Sequence, residues 1–306
     1  MISEQKSTRP LCRSILVTDS GLGGLSVFND IANQLEQNSP WEKVNLTYFN
    51  AWPAPHRGYN HFDTWEKRAQ IFNNAMNAMT VYHPDQILIA CNTLSVIYPH
   101  TRFSRTTDIN VEGIVDHGVQ MMVEKLRADP EGIAVVFGTP TTTTAKSHES
   151  RLVDLGISND RIINIGCTNL AGYIEREPFS DRVGQMIQTF VKQAVSELGR
   201  FTGHVYGALC CTHFGYRQAL FSKAFSTFFK GTVTLLNPNV RMAEQVLKPD
   251  NQKTFFTPDI KTHIVSQAVW GKEQMDAYLR LLTDISPRTR AALIQYEQNN
   301  NLFSVD

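Results

Sequence analysis

No apolar run in the sequence approaches the roughly 18 residues needed to cross a bilayer. The opening Met1-Ile2-Ser3-Glu4-Gln5-Lys6 lacks the apolar stretch of a secretory signal. Net charge is also missing. With 29 basic and 29 acidic side chains, nothing pushes the protein electrostatically onto nucleic acid or an anionic membrane. Cysteine is scarce: Cys12, Cys91, Cys167, Cys210 and Cys211 are odd in number and scattered, which argues for free thiols rather than a disulfide framework. No CxxC or close Cys/His set accompanies Cys210-Cys211, so zinc is not indicated and no metal is expected. No low-complexity tract interrupts the chain. The reading left by these absences is a folded, cytoplasmic protein with a small-molecule ligand, no nucleic-acid partner and no membrane partner.

What the sequence does have is alternation. Its 306 residues, 42% of them hydrophobic, suffice for about two domains. Short β-rich runs are predicted at Ser14 to Thr18, Val44 to Phe49, Gln86 to Ala90, Ile133 to Phe137, Arg161 to Ile165, His204 to Leu209 and Thr232 to Leu236. Amphipathic segments at helical period lie between most of them, among them Leu25 to Leu35, Trp65 to Met79, Gly118 to Leu126 and Val183 to Leu198. Such alternation predicts α/β architecture with mostly parallel sheets covered on both faces. Gly, Pro, Thr and Asn gather just after the strands, where ligands bind in such folds.

The two halves open and close alike. Ile15-Leu16-Val17-Thr18 leads into Asp19-Ser20-Gly21, and Ile133 to Phe137 leads into Gly138-Thr139-Pro140. Gln86 to Ala90 ends in Cys91-Asn92-Thr93, and His204 to Leu209 ends in Cys210-Cys211-Thr212-His213. Asp19 and Cys91 are 72 residues apart, and so are Thr139 and Cys211. A cysteine at the end of a buried strand is often only a small hydrophobe, and Cys12, Cys167 and Cys210 are read that way. Cys91 and Cys211 differ, because each sits at a strand-to-loop junction followed by hydroxyl or amide side chains. The glycine-rich loop after Asp19 offers backbone N–H groups at a helix start. It lacks the Gly-Lys-Ser/Thr ending of a phosphate loop and does not fit GxGxxG, which argues against a nucleotide. Asp19 itself reads as either a helix cap or a catalytic carboxylate. The Thr141 to Thr144 run is either an ordinary turn or a source of hydroxyl contacts to a carboxylate ligand.

Taken together, Asp19-Ser20-Gly21-Leu22-Gly23-Gly24-Leu25-Ser26-Val27, Ala90-Cys91-Asn92-Thr93, Gly138-Thr139-Pro140 with Thr142, and Cys211-Thr212-His213 resemble the ordered motifs of the glutamate racemases in the aspartate/glutamate racemase superfamily. The resemblance covers roughly residues 14 to 247. It implies two pseudo-symmetric α/β domains with the active site in the cleft between them. The first domain would span residues 1–115, completed by about 232–306, and the second 116–231. It also implies that Cys91 and Cys211 are acid/base thiols, that Asp19 and His213 assist the first and the second, and that Glu175 orients His213. By the same resemblance Ser20, Asn92, Thr93, Thr142 and Thr212 bind the amino and carboxylate groups of an amino-acid substrate. No cofactor is implied, the role would be to provide D-glutamate for cell-wall peptidoglycan, and a homodimer is one assembly left open.

The sequence departs from the family where a Pro-Tyr-Gly substrate loop is usual and this chain reads Trp52-Pro53-Ala54-Pro55-His56-Arg57-Gly58-Tyr59. The Glu-Pro-Gly segment near the crossover becomes Asp116-His117-Gly118, and Cys-Thr-His-Tyr-Pro becomes Cys211-Thr212-His213-Phe214-Gly215. Arg57 is read two ways, as an inward partner for an acidic side chain or as a solvated arginine on a loop. Racemisation without a cofactor requires removing a weakly acidic Cα proton from one face and returning one to the other. Two thiols on opposite faces can alternate as base and acid, with an ordinary pKa of about 8.5 that small shifts move either way. The alternatives are a racemase of another amino acid such as aspartate and a noncatalytic amino-acid-binding protein.

Overall fold

The computed structural model describes residues 11–54, 57–247, 254–282 and 284–305. Its first half runs β1 Cys12–Asp19, α1 Leu25–Gln37, β2 Lys43–Asn50, α2 Trp65–Met79, β3 Gln86–Ile89, α3 Asn92–Ile97, α4 Phe103–Thr106 and β4 Asn110–Gly113. The long α5 Ile114–Ala128 then leads into β5 Ile133–Gly138, α6 Pro140–Thr144, α7 Ser147–Asp154, β6 Ile162–Gly166, α8 Leu170–Arg176, α9 Asp181–Leu198 and β7 His204–Cys210. After these come α10 Thr212–Gly215, α11 Gln218–Phe228, β8 Thr232–Leu236, α12 Pro238–Val246, β9 Asp259–Ser266, α13 Lys272–Leu281, α14 Pro287–Ile294 and the short β10 Glu297–Gln298.

Among the described residues the strands form two sheets, ordered β10-β9-β2-β1-β3-β4 and β6-β5-β7-β8. Every pairing within them is parallel. The expected α/β class is therefore the observed one. The internal likeness of the halves is also structural, since β2-β1-β3-β4 and β6-β5-β7-β8 repeat one order. The expected boundary at residue 231 falls just before β8, which pairs with β7 and so belongs to the second sheet.

Strand side chains alternate between faces, and here both faces are dry. In β1, Ile15 and Val17 join Phe28 of α1, Met242 of α12 and Tyr278 of α13, while Leu16 joins Phe72 and Met76 of α2 on the other side. In β7, Val205 and Leu209 face α9 and α11, and Ala208 and Cys210 face α5 and α7. That alternation separates the neighbouring cysteines: Cys210 lies within one layer, and Cys211 lies against the other.

Local signals set where the helices begin. The Thr64 side chain caps α2 by accepting from the Lys67 backbone at 3.1 Å, and Glu66 favours the positive end of the dipole. Thr139 caps α6 with Pro140 in its first turn. The C-terminal segment beyond the family resemblance extends the first sheet, because β9 lies along β2 for eight paired residues. No helix among the described residues is long and apolar enough to cross a membrane.

Candidate active site

In an open parallel sheet, ligands bind beyond the carboxyl ends of strands, where neighbouring strands send their chains to opposite faces. In both sheets this place lies between the first strand of the half and its third. Asp19 ends β1 and Cys91 follows β3; Thr139 follows β5 and Cys211 follows β7. The 72-residue spacings are thus the length of one half-sheet circuit. The two clusters meet through direct contacts.

Cys91 and Cys211 are both 6% exposed and lead into α3 and α10 respectively. The Cys91 Sγ is 3.2 Å from Ser20 Oγ, whose hydroxyl points to Asp19 Oδ1 at 3.5 Å. A hydroxyl has one proton to give. When Ser20 donates to Asp19, it accepts from the Cys91 thiol, so the three form a hydrogen-bonded chain. Asp19 reaches Cys91 through Ser20 rather than directly. Its other oxygen, Oδ2, accepts from Thr212 Oγ1 at 2.7 Å across the junction of the two halves.

Around Cys211 the groups are different. His213 Nδ1 lies 3.9 Å from the Cys211 sulfur, and its Nε2 makes a close contact with Glu175 Oε2. That carboxylate oxygen also accepts from the Leu22 backbone at 3.1 Å and from Tyr278 Oη at 2.9 Å, while Gln274 Nε2 donates to Oε1 at 3.3 Å. The glycine-rich loop is pinned in turn: Gly21 O accepts from Tyr48 Oη at 2.6 Å and Asn50 Nδ2 at 2.8 Å, and Leu22 O accepts from Tyr216 Oη at 3.1 Å. Gly23 is required by close approach, since a Cβ there would lie 2.3 Å from Thr212 Oγ1 and 2.8 Å from the His213 backbone nitrogen.

The electrostatics distinguish the two thiols' surroundings. Burial and the Asp19 charge push the Cys91 thiol well above the ordinary cysteine range, and the hydrogen bonds from Ser20 and the Leu94 backbone only partly oppose them. Cys91 therefore rests as a protonated acid. For His213, burial disfavours the charged ring, but the Glu175 charge and hydrogen bonds to Glu175 and Cys211 outweigh it and hold the imidazole well above the usual histidine range. Burial would raise Glu175, yet His213 and the surrounding donors bring it below the usual glutamate value. A buried cation beside Cys211 is the result.

Of the other anticipated residues, Thr93 and Thr142 both meet Thr139, at 2.9 and 3.1 Å between hydroxyl oxygens, so Thr139 joins the first half to the second. Asn92 is 2% exposed, and neither its Nδ2 nor its Oδ1 has a hydrogen-bond partner. Leaving a buried amide unpaired costs about 1–3 kcal/mol, which a bound polar ligand would recover. His56 lies outside the described residues. Arg57 is exposed, with its guanidinium 4.3 Å from the centroid of the Phe62 ring, in agreement with the solvated reading rather than the inward one.

Sequence reasoning missed Thr139 as a site residue, along with Asn239, Gln274 and Tyr278. Asn239 Nδ2 donates to Thr212 O at 3.0 Å and to Ser26 Oγ at 2.9 Å, holding the second thiol's loop against α1. The repeat spacing already contained Thr139. No local signal singles out the other three. Among the described residues no group of three or more His, Cys, Asp or Glu side chains is gathered as a metal site.

The fold and site define a two-lobed, parallel α/β protein that holds a buried cysteine at the equivalent strand end of each half. No family model matches the chain. A curated glutamate racemase of Streptococcus agalactiae is 25% identical over 207 residues, covering 66% of this chain and 69% of the relative. The crystal structure of a glutamate racemase isoform from Bacillus anthracis superposes with a TM-score of 0.69 at 18% identity, covering 89% of this chain and 95% of that one. The Francisella tularensis glutamate racemase, solved in complex with D-glutamate, gives 0.66 at 16% identity over 95% and 98% of the two chains. In fold the chain matches these solved glutamate racemases, and in sequence it is similar to the glutamate racemases.

Proposed function

We propose that this protein is a cofactor-independent amino-acid racemase that interconverts L- and D-glutamate, with Cys91 and Cys211 as its two acid/base groups. The observation that carries the reading is the placement of these cysteines after β3 and β7, each with its own polar partners and joined by the Ser20–Asp19–Thr212 hydrogen-bonded chain. A binding protein needs donors for the amino acid but has no use for two such thiols.

In one direction Cys211, as a thiolate facing the His213 imidazolium, accepts the α-proton, and the Cys91 thiol delivers its proton to the opposite face of the carbanion. The sulfurs finish with exchanged protonation states. The reverse direction starts from that exchanged state: the Cys91 thiolate, accepting a hydrogen bond from Ser20, takes the α-proton, and the Cys211 thiol delivers its proton to the opposite face. Negative charge that develops on the substrate carboxylate is met by preorganised donors. The Asn92 amide and the hydroxyls of Thr93 and Thr142 serve this purpose, while Ser20 and Thr212, whose protons go to Asp19 or, from Ser20, to the Cys91 thiolate, offer lone pairs to the substrate ammonium. The glutamate assignment draws on the named relatives and on the complex of the Francisella enzyme with D-glutamate.

Incubation with each enantiomer in D2O tests the proposal. Exchange of the glutamate α-hydrogen with loss of optical rotation from both sides is the expected result. Exchange with aspartate or another amino acid but not glutamate would retain the mechanism and replace the substrate. Tight binding with no exchange in any member of the panel would make this a binding protein.

A further inference from the structure

We propose that Tyr278, on helix α13, is a positioning residue for the second thiol: its hydroxyl fixes the Glu175 carboxylate and thereby the His213 ring against Cys211. The inference rests on the racemase reading for its catalytic consequence, but not for its geometry.

Tyr278 is fully buried, and its ring meets Tyr216 edge-on, with centroids 5.7 Å apart and planes at 87°. A phenylalanine would fill this space equally well. The hydroxyl has a separate task, because it donates to Glu175 Oε2 at 2.9 Å. The same oxygen takes the Leu22 N–H at 3.1 Å and contacts His213 Nε2. Three donors from three parts of the chain therefore fix the position of one oxygen: Leu22 from the loop after β1, His213 from α10 and Tyr278 from α13. Gln274, one helical turn before Tyr278, supplies a donor to the other oxygen at 3.3 Å.

The titratable groups around Glu175 are His213, Tyr278, Tyr216 and Tyr48. Burial and the Glu175 charge hold the Tyr278 phenol well above its ordinary range, so it remains a donor at any working pH. A neutral donor shares the carboxylate's charge without replacing His213 as its counter-ion. Both α13 donors come from the segment that β9 brings back to the first sheet. That segment, which lies past the recognisable motifs, completes the surroundings of the second thiol.

The test compares wild type with Tyr278→Phe and Gln274→Ala, reading the His213 imidazole titration by 15N NMR and kcat and KM in both directions. Loss of the phenol leaves more charge on Glu175. The His213 midpoint is expected to move in the alkaline direction by roughly half a unit, with a several-fold loss in kcat, unequal between directions, and an unchanged KM. Gln274→Ala should move both in the same sense by less, and it provides the test if the tyrosine variant does not fold. An unmoved midpoint, or unchanged kcat in an active enzyme, overturns the proposal. A moved midpoint in a protein that exchanges no α-hydrogen would retain the positioning and sink the racemase reading; an active wild type with an unmoved midpoint would do the reverse.

Discussion

The Thr212 hydroxyl donates to Asp19 at 2.7 Å, joining the residue that follows one candidate thiol to the hydrogen-bonded chain that reaches the other. Asp19 is 1% exposed, so its Oδ2 has little water to replace a lost partner. Thr212→Val, which keeps the shape and removes the donor, should destabilise the protein by about 1–3 kcal/mol. Urea unfolding measures this. A variant as stable as wild type would show that the bond contributes nothing to joining the halves.

Replacing either thiol by a hydroxyl should remove one face of the chemistry and leave the other. Cys91→Ser and Cys211→Ser are each expected to slow racemisation by about 10²–10⁴-fold. The surviving thiol can still withdraw and return a proton on its own side. Each variant should therefore wash deuterium into only one enantiomer without inversion, and the two should choose opposite enantiomers. Proton NMR in D2O reads this directly, and equal wash-in from both enantiomers in either variant would rule out the two-thiol mechanism.

Gly23→Ala tests the close approach of the glycine loop. Its methyl would displace Thr212 and His213, whose nearest atoms lie 2.3 and 2.6 Å from the Cβ position. Misplacement near 1 Å costs about 10²-fold in rate, and a loss of that order in a protein with native circular dichroism is expected. Wild-type turnover would mean that the loop yields without cost.

Two histidines should shape stability against pH in opposite directions. Burial and Arg151 push His148 down to about 4, so the folded protein keeps it neutral while the unfolded chain protonates below about 6.5. Stability falls as pH drops through that window, by about 3 kcal/mol, and His148→Phe should flatten the loss in urea titrations at pH 7.5 and 4.5. His213 is raised instead. Its contribution is present below the ordinary histidine range and disappears as pH rises through the elevated value, so His213→Asn should flatten the alkaline side. Parallel curves for wild type and variant would refute the corresponding assignment.

The seven anticipated strands are all present because each is a short apolar run, six of them lying against helices with buried side chains and β8 closing the edge of the second sheet with Leu236 buried. The strands missed are those without that signature. β4 is four residues long and carries Asn110 and Glu112 at the sheet edge. β9 alternates Ile260, Thr262 and Ile264 with polar residues in a region with no recognisable motif, and β10 has only two residues. Within the candidate site, Ser20, Asn92, Thr93 and Thr212 could be named from the sequence because they lie in the motifs that resemble the glutamate racemases. Gln274 and Tyr278 could not. Their importance comes from the long return through β9, and a tyrosine one turn after a glutamine looks like any amphipathic helix. The Arg57 alternatives were separable only by the position of the Phe62 ring.

The chain passes between its two sheets twice, leaving the first through α5 and returning through α12, and these helices lie against each other. Arg241 of α12 grips Glu124 of α5 with two hydrogen bonds, at 2.6 and 2.8 Å. Two crossings clasped side by side would act as a pair of pins, opposing sliding or twisting of the halves more than rotation about the line through them. A swing about that axis would part Thr212 from Asp19 and Leu22 from Glu175 together. Admitting a molecule between the halves and dismantling the hydrogen-bonded network would then be one mechanical event, so the network could be complete only when the door is shut.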